Sequence, residues 1–409
     1  MNHAEHLQRF ASIALAGLNL QPGQPLAIKL EPENLPLAEE VARQAYRAGS
    51  RYVELWPESS RIARVRLDES PEEYLEFVPA SRTQRNEEFI REKWALLSVK
   101  SPVDLSIMDG VDAARAGRVA RGFRTADANL HKALSSDRTQ WTVMAVPTEG
   151  WAGQVLGMPA GQAALDRMWE VLTPILRMDH DDPPAAWREH GATLKERCAR
   201  LQELGLRSLH FTAEGTDLTV PLHASHSWLG GGAETGDGIP FLPNIPTEEV
   251  FTAPFAPGVS GRVQVTRPVR VYGTRVEGAW FEFAEGRVAR SGAQSGAEAL
   301  QAFMELDEGS RMMGEIALVD GASPITTSGV VFQNILLDEN AACHFALGSA
   351  YPTCLTGGSK LSEAELEARG ANRSNQHLDF MIGSADMAIT GVDEHGRSHE
   401  IMRAGRLLL

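Results

Sequence analysis

The spacing of apolar side chains changes several times along the chain, and each change marks a predicted element. Residues 7–18 place apolar side chains three and four positions apart, which predicts an amphipathic helix that ends before Pro22. Residues 25–30 and 51–56 have the composition of strands, and the helical pattern of residues 36–48 lies between them. This order of strand, helix and strand predicts a βαβ unit.

The same alternation continues well beyond this unit. Residues 95–98 and 141–146 predict further strands, and residues 161–172 predict another amphipathic helix. Helices that alternate with short strands favour a parallel sheet. Residues 181–184 form an acidic break that contains proline, so we expect an N-terminal α/β domain over residues 1–185.

The second half of the chain has a different pattern. A long helical pattern runs from Ala185 to about Leu204, and beyond it several short segments alternate apolar and polar side chains as strands do. We therefore expect an α+β C-terminal domain over residues 186–409, with mixed or antiparallel sheet. Its predicted strands include residues 208–212, 217–221, 263–271, 279–283 and 287–290.

The composition is that of a globular protein with a large core. Of the 409 residues, 43% are hydrophobic and 23% are charged. The length exceeds the roughly 250–300 residues at which a single core stops growing, so two domains are expected. The chain has three cysteines, no apolar run long enough to span a bilayer and no basic leader followed by an apolar stretch. We therefore expect a cytoplasmic protein without a membrane partner.

The formal net charge of −15 argues against a nucleic-acid partner, because proteins that bind nucleic acid carry basic patches. A cationic ligand, such as a metal ion or the amino terminus of a peptide, suits the charge better, although solubility alone also explains it. The first half contains no GxGxxG, GxxxxGK[ST] or GxSxG motif, so it gives no support for a nucleotide-binding loop or a serine nucleophile.

Acids and histidines cluster in four short stretches of the second half, residues 246–252, 314–319, 338–344 and 377–379. Each stretch places these polar groups among apolar neighbours. An isolated buried carboxylate is costly, so such groups must be neutralised, paired or bound to a cation. We therefore take the four stretches together as the candidate site.

Two of these stretches predict polar side chains on strands. His377 and Asp379 lie two positions apart in a strand-like segment, so both side chains should leave the same face of a sheet. Glu315 precedes the apolar run of residues 316–319 and should lie near the start of a core strand. Taken singly, His377 and Asp379 are also consistent with a surface pair or a satisfied polar pair, and Glu315 with an ordinary acid at a strand end.

The other two stretches leave more alternatives open. Glu339 and His344 bracket residues that predict the first turn of a helix running to about Leu347, and their spacing differs from that of an HExxH motif. Glu339 is also consistent with a capping acid, and His344 with a core histidine. Glu248 and Glu249 are adjacent, so in an extended chain only one of them faces a given site. The other is then available as a base or as a supporting group.

The donor types suit divalent metal ions. Oxygen and imidazole ligands without thiolates fit zinc, cobalt, manganese or magnesium, and several carboxylates together fit two ions better than one. We therefore expect two divalent metal ions per subunit. The charge of two such ions would be balanced by four carboxylates, those of Glu249, Glu315, Glu339 and Asp379.

Four motifs resemble the dinuclear metallopeptidase family of aminopeptidase T and aminopeptidase S: NIPTEEVFTAP at residues 244–254, GEIALV at 314–319, DENAACHFALGSAY at 338–351 and HLDFMIGS at 377–384. The similarity extends along the chain and includes residues 182–187 and 215–218. The resemblance implies an N-terminal α/β domain, a C-terminal catalytic domain, a homodimer and peptide substrates with a free N-terminus.

The resemblance also implies roles for particular residues. The metal ligands would be Glu249, Glu315, Glu339, His344, His377 and Asp379. Glu315 would bridge the two ions, and Tyr351 would assist catalysis. Beyond the resemblance, we expect a water molecule made more acidic by the ions to attack the first peptide bond, and Glu248 or Glu339 to carry the proton to the leaving amine.

Two other functions are consistent with the same residues. Another dinuclear hydrolase, such as a deacylase or a phosphoesterase, would direct the activated water toward a different bond. A metal- or peptide-binding protein without enzymatic activity is the second alternative, because the HExxH-like stretch at residues 399–403 has arginine in place of the second histidine. Cleavage of aminoacyl-p-nitroanilides but not of phosphate monoesters separates an aminopeptidase from these functions.

Overall fold

The computed structural model describes residues 1–409, apart from the side chain of Ala113. Contacts within the chain divide it into two compact units. Unit 1 comprises residues 1–189 and 232–246, and unit 2 comprises residues 190–231 and 247–409. The domain boundary expected after residue 185 stays a prediction.

The first helix shows how the sequence sets a helix start. It begins after Asn2, whose side chain accepts a hydrogen bond from the backbone of Glu5 in a capping box. Among the described residues, no helix is both long enough and apolar enough to cross a membrane. The helices are α1 (His3–Leu18), α2 (Leu35–Arg47), α3 (Ser60–Glu69), α4 (Ala80–Arg91), α5 (Ala113–Ser135), α6 (Glu149–Leu156), α7 (Gln162–Ile175), α8 (Pro183–Glu203), α9 (Ala297–Met304), α10 (Pro324–Ser328), α11 (Ile335–Asp338) and α12 (Glu363–Ala368).

The strands are short and are more frequent in the second half of the chain. They are β1 (Leu26–Leu30), β2 (Val53–Pro57), β3 (Ala95–Val99), β4 (Trp141–Met144), β5 (Leu206–Ala213), β6 (Thr216–Pro221), β7 (Ala233–Glu234), β8 (Pro240–Phe241), β9 (Asn244–Ile245), β10 (Glu249–Thr252), β11 (Ser260–Gln264), β12 (Val269–Val271), β13 (Thr274–Val276), β14 (Trp280–Ala284), β15 (Arg287–Gly292), β16 (Met313–Val319), β17 (His344–Gly348), β18 (His377–Met381), β19 (Ala388–Asp393), β20 (Ser398–Arg403) and β21 (Arg406–Leu407).

Unit 1 contains a five-stranded parallel sheet with the order β2-β1-β3-β4-β9. β1 and β2 pair in parallel and α2 lies between them in the chain, which confirms the predicted βαβ unit. Every residue of β3 is buried, as is typical of a parallel strand with both faces covered. The expected α/β architecture of the N-terminal half is therefore confirmed.

Unit 2 contains two larger antiparallel sheets. One has eight strands in the order β15-β14-β11-β6-β5-β19-β20-β21, and the other has four in the order β10-β16-β17-β18. Phe281 on β14 packs against Phe345 on β17 and Phe380 on β18, with ring centroids 5.6 and 4.9 Å apart. The core of unit 2 therefore lies between these two sheets, and the expected α+β class with antiparallel sheet is confirmed.

Two expectations for single elements are wrong. The helix predicted from residue 340 to about residue 347 is absent: a 3-10 turn covers Glu339–Ala341, and β17 then begins at His344. A short apolar run is ambiguous between helix and strand, and pairing with β16 and β18 on either side stabilises the strand here. The strand predicted over residues 263–271 is divided into β11 and β12.

Candidate metal centre

Five of the predicted site residues lie on one face of the four-stranded sheet. Glu249 begins β10, Glu315 lies on β16, His344 begins β17, and β18 carries His377 and Asp379. Residues two apart on a strand share a face, and the register of the sheet aligns these five side chains on the same one. The residues that alternate with these five along the strands point to the other face of the sheet, where they are apolar and belong to the core of unit 2. The alternating sequence thus separates a polar face from an apolar one.

Small residues leave room between the polar side chains. Ala346 is paired with both Glu315 and Asp379, and Gly348 is paired with His377. Gly348 has a φ of 116°, and a Cβ atom there would lie 2.1 Å from a carbonyl oxygen. Only glycine is compatible with this close approach of β17 to β18.

The carboxylates and imidazoles converge as two groups. Glu249, Glu315 and His344 form one group, and Glu315, His377 and Asp379 form the other, with one ligand atom of each residue within 4.8 Å of the others. His344 Nε2 lies 3.0 Å from Glu249 Oε2 and 3.5 Å from Glu315 Oε1. His377 Nε2 lies 3.4 Å from Asp379 Oδ1 and 3.8 Å from Glu315 Oε2. Glu315 therefore belongs to both groups and turns one oxygen toward each.

Both histidine rings are held by the nitrogen that faces away from the carboxylates. His344 Nδ1 lies 3.1 Å from the carbonyl oxygen of Ala342, and His377 Nδ1 lies 2.8 Å from that of Ser349. A carbonyl oxygen only accepts hydrogen bonds, so we assign the ring proton to Nδ1 in each case. A neutral ring then presents its Nε2 lone pair to the carboxylates, which is the usual orientation of a metal-ligating histidine.

Two carboxylate oxygens of this cluster are buried without a hydrogen bond. Glu249 Oε2 and Asp379 Oδ1 accept none, although an imidazole nitrogen lies 3.0 and 3.4 Å away, respectively. Buried polar atoms are normally hydrogen-bonded, so each such atom calls for another partner. A cation that lies between the carboxylate oxygen and the imidazole nitrogen would bind the lone pairs of both atoms. The residues present therefore fit a divalent metal ion, and their donor types suit zinc, cobalt, manganese or magnesium.

Burial and neighbouring charges shift the pKa values within the cluster. Burial raises the pKa of Glu315, and burial together with the charges of Asp379 and Glu249 raises the pKa of Glu339 well above its ordinary value. Burial also opposes ionisation of Asp379, but the nearby His377 lowers the pKa of that carboxyl overall. Burial opposes protonation of His377, yet Asp379 and Glu315 raise its pKa to about 10. Protons and metal ions therefore compete for the same atoms.

Glu339 and Tyr351 border the cluster without belonging to either group. Glu339 lies in the 3-10 turn that precedes β17, and its Oε1 accepts a hydrogen bond of 3.3 Å from Asn340 Nδ2. The ring of Tyr351 lies 5.1 Å from that of His377, centroid to centroid. Tyr351 is 43% exposed as a residue, but desolvation of its hydroxyl and the charge of Glu315 raise its pKa well above the ordinary value. The hydroxyl therefore stays protonated at neutral pH.

Glu248 and its neighbour Glu249 contact different partners, as expected for adjacent residues of an extended chain. Glu248 Oε2 lies 3.4 Å from His190 Nε2, and the Glu248 backbone N–H donates a hydrogen bond of 2.7 Å to Asn340 Oδ1. His190 Nε2 also lies 2.8 Å from the carbonyl oxygen of Thr247. The sequence pattern did not identify His190 or Asn340. Asn340 lies within a stretch already singled out, whereas no local signal connects His190 with a segment so distant in the chain.

Comparisons with known proteins match the chain over nearly its whole length. The profile of the Peptidase M29 family, described as thermophilic metalloprotease, matches residues 3–407. Aminopeptidase 2 of Geobacillus stearothermophilus is 39% identical over 407 residues, which cover 99% of this chain and 98% of that protein. Aminopeptidase T of Thermus aquaticus is 37% identical over 407 residues, 99% of each chain. The solved structure of wild-type AmpT from Thermus thermophilus superposes with a TM-score of 0.92, at 36% identity and 99% coverage of both chains.

Proposed function

This chain belongs to the Peptidase M29 family of thermophilic metalloproteases and is a metal-dependent aminopeptidase, and we propose that the cluster on the four-stranded sheet is its active site. The observation that carries this proposal is the position of Glu315, whose two oxygens face separate groups of ligand atoms. A carboxylate shared in this way suits two ions side by side. We therefore propose two divalent ions per subunit, taken from zinc, cobalt, manganese and magnesium.

The proposed ligands are the five residues of the polar face together with Glu339. Support for Glu339 comes from its pKa, which is raised by burial and by the charges of Asp379 and Glu249, so that its carboxylate needs a cation nearby to ionise. When bound, such ions make a water molecule more acidic and polarise the carbonyl group that it attacks. The full proposed set is Glu249, Glu315, Glu339, His344, His377 and Asp379.

We propose that Tyr351 donates a hydrogen bond to the carbonyl oxygen of the scissile bond. Its hydroxyl keeps its proton at neutral pH because desolvation and the charges of Glu315 and Asp379 raise its pKa. Its ring lies against His377, at the edge of the cluster. A donor held in place stabilises the negative charge that develops on the carbonyl oxygen during attack.

The proton released in this attack must reach the leaving amine. We propose Glu248 as its carrier. The Glu248 carboxylate is buried, and the residue directly precedes Glu249 in the chain. It also lies beside His190, a second group able to exchange a proton. Glu339 is the other candidate, since it borders the cluster. The substrate is a peptide with a free N-terminus, whose positive charge suits the surrounding acids.

The first experiment measures hydrolysis of Leu-p-nitroanilide and Arg-p-nitroanilide. The purified protein is treated with EDTA and then given zinc, cobalt, manganese or magnesium separately. We expect activity to vanish on chelation and to return with at least one ion, while p-nitrophenyl phosphate stays intact. If no ion supports cleavage of either anilide, the proposed function is wrong.

A pair of variants tests the proposed site itself. Glu315→Gln keeps the volume of the side chain but removes its charge, so we expect loss of both activity and bound metal, measured by elemental analysis. Glu367→Gln, an exposed change on α12, is the matched control and should keep both. Full activity in Glu315→Gln would contradict the assignment of Glu315 as a shared ligand.

We further propose a cytoplasmic homodimer. Cys198, Cys343 and Cys354 are all buried and form no disulfide, which suits a reducing compartment. The dimer is what the resemblance of the four sequence motifs to the metallopeptidase family implies. Light scattering on the purified protein tests it, with an expected mass of twice 44.5 kDa.

A further inference from the structure

The parallel sheet of unit 1 changes its winding direction between β1 and β3. The chain passes from β1 to its neighbour β2 and then returns across β1 to β3, which gives the order β2-β1-β3-β4-β9. Crossover connections are right-handed, so the connections after β1 and β3 leave toward opposite faces of the sheet. Ligands of open α/β sheets bind in the crevice between such connections, at the carboxyl ends of the strands.

A cavity of about 460 Å³ lies at this edge of the sheet. The segments that follow three strands line it: Glu33 and Asn34 after β1, Val103 after β3, and residues 146–150 after β4. Side chains of α1, α2 and α7 complete the lining. The volume falls within the range of small-molecule pockets, about 300–1,000 Å³. None of the lining residues belongs to the candidate metal centre, so the cavity is a distinct candidate site within unit 1.

The connections after β3 and β4 are fixed to each other beside this cavity. Thr148 Oγ1 donates a hydrogen bond of 2.5 Å to the carbonyl oxygen of Pro102 and accepts one of 3.2 Å from the backbone N–H of Trp151. A Cβ atom on Gly150 would lie 2.1 Å from the carbonyl oxygen of Val103, so only glycine allows α6 to begin this close to the segment after β3. This part of the cavity wall is therefore already in place before a ligand binds.

Asn34 brings an unused hydrogen-bond donor to the cavity. It lies directly before α2, at the position of the N-cap, but its side chain makes no capping hydrogen bond. Asn34 is only 8% exposed, and its Nδ2 is buried without a hydrogen-bond partner among the described residues. Buried polar atoms are normally hydrogen-bonded, so this amide calls for an acceptor, which an oxygen atom of a ligand would supply.

The charged side chains of the lining favour a cationic group over a phosphate. Glu33 Oε1 lies 3.4 Å from Arg61 Nε, so these two charges compensate each other. Glu149 begins α6, and its carboxylate has no ion-pair partner in the described part of the chain. Residues 31–34, which connect β1 with α2, contain two acids and no glycine, whereas connections that bind phosphate at this position are rich in glycine.

The rest of the wall is largely aliphatic. Such a wall suits an aliphatic side chain, because contact between the two removes apolar surface from water. A ligand that uses every feature of the cavity therefore carries an ammonium group for Glu149, an acceptor oxygen for Asn34 and an aliphatic side chain. The buried aliphatic residues of the wall are Leu7, Leu37, Val103, Val146 and Leu165.

We propose that this cavity binds an aliphatic α-amino acid, either free or as the first residue of a peptide, at a site distinct from the candidate metal centre. Both sources present the same chemistry: an α-ammonium group, a neighbouring carbonyl or carboxylate oxygen and an aliphatic side chain. The inference rests on the lining of unit 1 and stands independently of the proposed function.

Three small probes show which groups the cavity recognises. L-Leucine carries all three features, whereas 4-methylpentanoate lacks the ammonium group and 3-methylbutylamine lacks the oxygen atoms. Isothermal titration calorimetry on the metal-loaded protein measures each dissociation constant. We expect leucine to bind about tenfold or more tightly than either analogue, because each analogue loses one of the polar contacts. Absence of saturable leucine binding would overturn the inference.

The same titrations in Glu315→Gln separate the cavity from the candidate metal centre. We expect this variant to lose bound metal while unit 1 keeps its cavity, so leucine binding should persist with the same preference over both analogues. Leu-Gly is titrated beside leucine, and the tighter of the two identifies the source as a peptide or a free amino acid. Loss of leucine binding together with the metal would assign all binding to the metal centre and contradict the inference.

Variants of the lining test the two polar contacts separately. Glu149→Gln should weaken leucine binding about tenfold and leave binding of 4-methylpentanoate unchanged, and Glu149→Lys should favour 4-methylpentanoate over leucine. Asn34→Leu removes the donor and keeps most of the volume, so it should weaken binding of leucine but not of 3-methylbutylamine.

An exposed acid outside the cavity is the control for these variants. Glu170→Gln on α7 should bind leucine as the wild-type protein does. Glu149 is exposed, so its variants keep the inference testable even if Asn34→Leu fails to fold. Leucine affinities that are equal in the wild-type protein, Glu149→Gln and Glu149→Lys would overturn the inference, while cleavage of Leu-p-nitroanilide would still stand.

Discussion

His344 and His377 use their two ring nitrogens differently. In each ring Nδ1 lies within hydrogen-bonding distance of a backbone carbonyl, and Nε2 faces carboxylate oxygens. The backbone contact sets the ring orientation before any ligand binds, because a carbonyl oxygen can only accept. At the scale of the residue, the candidate site is therefore organised by the main chain just before and just after β17, at Ala342 and Ser349.

The titration of these histidines predicts how metal affinity depends on pH. Burial opposes protonation of His377, but Asp379 and Glu315 raise its pKa to about 10, so a proton competes with a metal ion for Nε2 at neutral pH. A bound ion requires the neutral ring, so binding must release protons. We expect affinity to rise between pH 6 and pH 9, by about tenfold per pH unit for each proton displaced.

Calorimetric titration of zinc in buffers of different ionisation enthalpy measures the number of protons released. His377→Gln should lower that number by about one at pH 7, because the ring that must lose a proton is gone. An affinity that stays constant between pH 6 and pH 9 would contradict the competition between protons and metal at this cluster.

A second prediction at this scale concerns the hydroxyl of Tyr351. Tyr351→Phe keeps the ring contacts with Phe251 and His377 but removes the donor. We expect kcat to fall by about 10²–10³, as when a single donor to a developing oxyanion is removed, with metal content unchanged. Steady-state kinetics on Leu-p-nitroanilide together with elemental analysis tests this, and normal turnover with intact metal would exclude the proposed role.

At the scale of the element, β17 is the strand that joins core and site. His344 points to the polar face of its sheet, and the next residue, Phe345, packs against Phe281 and Phe380 in the core. The stacked and edge-to-face rings fix the strand against the eight-stranded sheet. Any loosening of this packing should therefore reach the candidate ligands directly.

Substitution of Phe345 tests this coupling. Phe345→Ala should lower the free energy of unfolding by about 3–5 kcal/mol, since the side chain is fully buried and its removal leaves a cavity. Phe345→Leu should cost clearly less, because most of the volume is kept. Urea denaturation with metal present and absent measures both values.

An exposed phenylalanine provides the control for this series. Phe77 is 63% exposed, and Phe77→Ala should change stability by no more than about 0.5 kcal/mol. Equal effects of Phe345→Ala and Phe77→Ala would show that the aromatic cluster contributes far less to unit 2 than its burial indicates.

At the scale of the whole molecule, the candidate site makes stability depend on metal. Several carboxylates are buried together in unit 2, and their repulsion is relieved when a cation binds only the folded chain. We expect EDTA to lower the melting temperature. At a free metal concentration of 100 times the dissociation constant, each site should add about 2.7 kcal/mol to the free energy of unfolding. Differential scanning calorimetry over a series of zinc concentrations measures the shift, which should disappear in Glu315→Gln.

Much of the architecture follows from the sequence alone. The alternation of helical and strand spacing predicted the parallel sheet of unit 1 and the antiparallel sheets of unit 2, because each period sets which side chains share a face. The same reasoning placed His377 and Asp379 on one strand with a common face, as the structure shows. The complete ligand set, by contrast, came from the resemblance of four motifs to a family.

Tertiary structure decided what local spacing leaves open. The short segment His344–Gly348 is a strand rather than a helix because it pairs with β16 and β18, from which residues 320–343 and 349–376 separate it in the chain. The same pairing makes Glu315 common to two ligand groups, and a separate contact brings His190 on α8 to Glu248. By itself the sequence determined most of the elements and the types of donor. Their convergence depended on contacts between distant segments, which no local periodicity encodes.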